Sequence, residues 1–219
     1  MEQQLIEAVT TGRVDDVGRM LDEQPVLVTA RAANGVSAIL LAAYHGRPDI
    51  AQVFVAHGAA LDIFEASALG RVERIAALLS EDPSRASAYA ADGFFPLGLA
   101  AFFGHPDAVC ALLAAGADIH AVARNPMQVQ TIHAAAASRN VAIVKAVLEA
   151  GADPNARQQQ GFLPLHEAGV NGNREMAELL VAHGADPRLE DDSGKTIIDY
   201  AREKGHAEMA QWMEQLVRP

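Results

Sequence analysis

Eight histidines, one cysteine and adjacent carboxylates such as Glu81-Asp82 and Asp191-Asp192 are the residues through which this chain could do chemistry. A metal site would need histidines or thiolates grouped at ligand spacing. The sequence holds no HExxH, no CxxC and no two histidines at i and i+4. Cys110 would need a histidine or a cation beside it to act as a thiolate nucleophile, and the sequence assigns it neither. Glu81-Asp82 and Asp191-Asp192 fall between apolar segments and read as solvated turns. The glycines recur at regular boundaries, so none builds the GxGxxG or GxxxxGK[ST] loop that cradles phosphate. No catalytic residue, metal ligand or cofactor is expected.

Composition narrows the partners. Seventeen basic residues against twenty-eight acidic ones leave a formal charge of −11, which would repel a phosphate backbone, so nucleic acid is not an expected partner. No run approaches the roughly 18 apolar residues of a membrane span. The start, MEQQLIEAVTTGR, has neither a basic segment nor an apolar stretch of the secretory kind. With one cysteine there is no intramolecular disulfide framework, and the expectation is a reducing, cytoplasmic setting.

What must position any functional side chain is a repeat. Gly58-Ala59, Gly116-Ala117-Asp118, Gly151-Ala152-Asp153 and Gly184-Ala185-Asp186 mark recurring unit ends. The last two are 33 residues apart. The preceding interval is 35, so Arg124–Gln130 carries a two-residue insertion. The first interval, 58, is explained by a duplicated module. Displacing the chain by 58 lays Gly12-Arg13-Val14 on Gly70-Arg71-Val72, Pro25 on Pro83, Gly35 on Gly93 and Pro48-Asp49 on Pro106-Asp107. In each copy the first unit lacks the glycine turn that opens the second.

The fullest unit, Gly161–Arg188, reads GFLPLHEAGVNGNREMAELLVAHGADPR: a turn, Pro-Leu-His opening a helix, a glycine, a second apolar helix, then Gly-Ala-Asp. This resembles the ankyrin repeat. The resemblance implies an all-α solenoid of about seven helix pairs, with β-turn fingers between pairs, almost no strand and capping units at both ends. The expected units are 1–32, 33–61, 62–90, 91–120, 121–155, 156–188 and 189–219, the first and third shortened. Glycine punctuation and apolar spacing place the paired helices near 2–11 and 14–22, 38–45 and 48–57, 62–69 and 72–80, 96–103 and 106–115, 131–138 and 141–150, 164–171 and 174–183, and 197–204 and 207–216. His133 and His166 occupy the histidine of Pro-Leu-His, where the resemblance implies hydrogen bonds to adjacent turns. The alanine-rich style and the Leu78-Leu79…Pro83 turn look like stand-alone bacterial members of that family.

In such proteins the finger tips and the exposed side of the first helices form a concave binding surface, which implies a protein or peptide partner. Carried over slot by slot, the candidates are Val36, Tyr44, His45, Leu69, Phe94, Phe102, Phe103, Met127, Gln160 and Phe162. Only eleven aromatics are present, yet five fall in these slots, which exceeds what a passive surface needs. The expected groove spans units two to four with help from Phe162. Two other roles stay open for these aromatics, filling the space left by the missing fingers and pairing two copies of the chain; the default is a monomer. The other functional class is an inhibitor or immunity-type partner that uses the acidic surface against a basic enzyme. Phe95, in the usual threonine place, is expected to point inward.

Overall fold

The computed structural model describes residues 1–218; Pro219, the last residue of the seventh expected unit, lies outside them. Fourteen α-helices and no strand occur among the described residues. The first member of each consecutive pair stacks beside the next in one layer: α1 (Glu2–Thr10), α3 (Ala38–Tyr44), α5 (Ile63–Ala68), α7 (Pro96–Phe102), α9 (Thr131–Ala137), α11 (Pro164–Asn171) and α13 (Ile197–Glu203). The second members lie behind, each against its own partner: α2 (Val14–Glu23), α4 (Pro48–Ala56), α6 (Val72–Glu81), α8 (Pro106–Ala114), α10 (Val141–Glu149), α12 (Arg174–Ala182) and α14 (Ala207–Val217). Every boundary falls within two residues of its expected place.

Side-chain size explains the two layers. The first layer meets through buried Ala42, Ala66, Ala100, Ala135, Ala168 and Ala201, whose methyl groups let short helices approach closely. The second layer contributes branched residues such as Ile50, Ile75, Leu112, Ile143 and Leu180, all fully buried. Each contributes on the order of 2 kcal/mol through area removed from water. One buried core joins the two layers from Leu5 to Met213. Helices this short do not persist alone, so each pair depends on its neighbours.

Their N-termini are closed by the side chain at the third helical position. His133 Nδ1 accepts the Gln130 N–H at 3.2 Å, and His166 Nδ1 accepts that of Leu163 at 3.2 Å. Carboxylates do the same work elsewhere: Glu65 Oε2 for Asp62 and Asp199 Oδ2 for Thr196, both at 2.9 Å. The two imidazoles have a second task. Each presents Nε2 to a carbonyl in the finger that follows, Ala156 at 3.0 Å and Leu189 at 3.1 Å, which fixes the neutral Nε2–H tautomer. In α3 the same position is Leu40, and no finger follows to receive a donor. In α7 it is Gly98, whose space the ring of buried Phe95 fills, as the inward expectation for Phe95 requires.

Five fingers project between pairs. Four close as turns in which a glycine N–H returns to the carbonyl three residues back: Ala32–Gly35, Ala90–Gly93, Gln158–Gly161 and Asp191–Gly194. The fifth, Asn125–Gln128, lies in the segment with the insertion and holds Gln128 at φ 51°. From α4 to α5 the chain passes with no finger, while 3₁₀ turns at Pro25–Thr29 and Pro83–Ser87 sit one module length apart.

The fingers stack in series. Arg124 donates its N–H to the Gly93 carbonyl at 2.8 Å, Gln159 to that of Met127 at 2.9 Å, and Asp192 to that of Gln160 at 3.0 Å. Numbering fingers by the unit they open, the third is missing, and there the second reaches the fourth directly: a Cβ on Gly35 would stand 3.1 Å from that of Ala91. The omission is thus largely closed rather than left open. At Gly93 the joint closes on backbone: φ is +82° and a built Cβ would stand only 2.5 Å from the Arg124 carbonyl oxygen. Gly93→Ala should cost about 3 kcal/mol, combining left-handed strain with displacement of the fifth finger. Gly116→Ala, with the same φ but open space around it, should cost about 1 kcal/mol. Urea denaturation of the two variants checks this, and equal losses would refute the joint.

Candidate functional site

A groove of about 370 Å³ opens on the finger side of α7, α9 and α11. Its floor is shallow-sided because of two repeat slots. Four residues past the N-cap the three helices carry Leu99, Ala134 and Glu167; three further on, α7 and α9 carry Phe102 and Ala137. The middle helix therefore offers only methyl groups where its neighbours offer larger side chains, and a depression results.

Aromatic contacts build both walls. On the amino-terminal side Phe102 meets Phe103 edge-on at 5.2 Å, Phe103 meets Tyr44 at 5.7 Å, and Tyr44 meets Phe94 at 6.2 Å. The Tyr44 hydroxyl donates to Asp92 at 2.8 Å across 48 residues of sequence. Burial, with that hydrogen bond second, holds the phenol protonated far above its usual range. On the carboxyl-terminal side Phe162 stands edge-on to His166 and to Tyr200, both at 5.3 Å, and Tyr200 donates to Asp191 at 2.6 Å. Met127 overhangs the groove from the fifth finger, which its two extra residues extend.

The electrostatics are simple. His133 lies at the base, and burial drives its pKa down to about 4, so it is neutral at physiological pH. Among the lining residues only Glu167 then carries charge. Phe102 and Met127, each 48% exposed, are among the few large apolar residues left open to solvent, and both face this one groove.

Five of the ten expected residues are brought together here: Tyr44, Phe94, Phe102, Met127 and Phe162. The other five are not. Val36, expected at the surface, is only 4% exposed. It packs with Leu40, Ala43, Ala68 and Leu99 in a second apolar cluster, against which Leu69 and Phe103 are half-buried. The reason is the missing third finger, which lets the second finger lean across and turn Val36 inward. His45 and Gln160 are exposed but line no part of the groove. The groove accordingly sits over the fourth to sixth units rather than the second to fourth, and only Tyr44 reaches it from the second. Glu167 and Leu99 were not foreseen. Their signal was the N-cap+4 slot, which becomes legible once Ala134 shows which slots face the depression.

Among the described residues no cluster of three or more His, Cys, Asp or Glu could hold a metal, and exposed Cys110 lies on α8, away from the groove. No helix of the described residues is long and apolar enough to cross a membrane. Models of the ankyrin repeat match the chain twice, a single repeat over residues 92–124 and three copies over 132–215. No curated protein matches it.

Proposed function

Because the chain belongs to the ankyrin repeat family, whose members generally mediate protein–protein interaction, we propose that it is a non-enzymatic binding module. It holds a protein or peptide in the groove between Phe102 and Phe162. In this reading the solenoid has seven repeats with the bounds given above. The first and third lack fingers, and the terminal helix pairs act as caps. Half-buried Trp212, with the Arg174 guanidinium 4.8 Å over its ring, supports the last point. The protein works as a cytoplasmic monomer, in keeping with its single exposed thiol.

The observation that carries the reading is the coincidence of an apolar concavity with exposed Phe102 and Met127. Monomeric surfaces rarely leave such a patch uncovered, and large, adaptable side chains are favoured anchors. Ala137→Phe should fill the depression from within the middle helix while removing nothing. Captured from cells of its source, a partner should be retained by the wild type and lost by this variant at unchanged melting temperature. A partner that survives Ala137→Phe and dissociates in high salt would instead assign binding to the acidic surface. A homodimer dissolved by the same substitution would replace the partner with a second copy.

A further inference from the structure

The groove is lined mainly by apolar side chains, and Glu167 alone among the lining residues is a carboxylate. Glu167 is half-buried in the lining, and Asn171 Nδ2 donates to its Oε1 at 2.8 Å. No ion pair among the described residues includes it. His133 and Gln158, the other polar side chains near the floor, supply no positive charge. A purely hydrocarbon partner seated here would strip water from Glu167 and leave the carboxylate without a counter-charge, which opposes binding. An acidic partner would add repulsion, and the chain's formal charge of −11 works against it from a distance as well. A partner with a cation beside its apolar anchor avoids both penalties.

We propose that the groove selects a peptide segment in which a bulky apolar side chain enters between Phe102 and Phe162 while a neighbouring Arg or Lys pairs with Glu167. This rests on the partner-binding reading above and adds to it the chemistry of the occupant. The apolar side chain fills the space over Ala134 and Ala137. The cation takes the Glu167 oxygen that Asn171 leaves free, and an arginine would also lie beside the aromatic wall, where guanidinium is favoured. Discrimination thus comes from the uncovered carboxylate as much as from the apolar contact.

Selection of a random peptide display library on the purified protein tests the proposal. Enriched sequences should pair a bulky apolar residue with Arg or Lys within two positions. Synthetic copies of them should bind Glu167→Gln about tenfold more weakly than the wild type, as loss of one charge-assisted contact implies. Selection on Glu167→Lys should favour Asp or Glu in place of the basic residue. Glu167→Gln keeps an amide oxygen for Asn171, so its melting temperature should match the wild type, and the comparison does not depend on folding. Enriched peptides without a basic residue, or equal affinity for Glu167→Gln, would overturn the proposal. If such peptides are nonetheless lost by Ala137→Phe, the groove remains the binding site and only the cation is wrong. If Ala137→Phe also leaves binding intact, or nothing enriches above that variant, both readings fall.

Discussion

Acidification from pH 6.5 to 4 is expected to remove about 3 kcal/mol of stability through His133 alone. Burial penalises the imidazolium and lowers the folded-state pKa to about 4, only partly offset by the Ala156 carbonyl. Geometry adds to this, because a proton on Nδ1 would face the Gln130 N–H that it now accepts. Between the two pKa values the unfolded chain binds a proton that the folded chain refuses. Stability therefore rises with pH through that window, is complete above about 6.5, and is lost as pH falls toward 4. Burial lowers His166 likewise, so it acts in the same direction. Glu65 acts in the opposite one: burial first, then Asp62, raise its pKa, so its contribution declines as pH rises. The net curve mixes these terms, and a variant separates them. In His133→Gln the amide oxygen can accept from Gln130 and the amide nitrogen can donate to Ala156, with no proton to gain. Urea denaturation at stepped pH should show the wild type losing up to about 1.4 kcal/mol per pH unit more than the variant. Parallel curves would refute a neutral, buried His133.

The same histidines show why the fold was legible in the sequence and the groove only in part. Glycine follows most of the helices at positive φ, as at Gly46, Gly104 and Gly172, so helix ends are written in a residue that few others can replace. Proline opens α4, α7, α8 and α11 at positions where its missing N–H is no loss. Such signals act over four or five residues, and a reader of one strand of text can find them. Val36 depends on something else. Whether it faces solvent or core is decided by a finger absent from the next unit, and by Leu40 replacing an imidazole that would have had no carbonyl to bond. The depression over Ala134 and Ala137 likewise exists only by contrast with Leu99 and Glu167, some 33 to 35 residues away on neighbouring helices. Local rules placed the helices; relations between repeats shaped the site.

Phe102 and Phe103 are adjacent in sequence, and their alanine variants are expected to fail in different ways. Phe103 is half-buried against the second apolar cluster, between Tyr44 and Phe102. Phe103→Ala should lower stability by about 2 kcal/mol, less than the 3–5 typical of a fully buried phenylalanine, because part of its ring is already in water. Phe102 is 48% exposed and meets Phe103 edge-on. Phe102→Ala should cost no more than about 1 kcal/mol of stability, yet weaken a groove-bound partner by about thirtyfold or more, the loss of a central aromatic anchor. Paired measurements of melting and of affinity for the captured partner or a selected peptide decide the matter. The partner reading requires the two losses to separate. If Phe102→Ala melts as early as Phe103→Ala and binds as tightly as the wild type, the aromatic row is only packing that compensates for the absent finger. The arrangement favours separation, because the chain of contacts from Phe94 through Tyr44 to Phe103 already closes the space beside that finger. Phe102 stands beyond it, with its outer face turned into the groove.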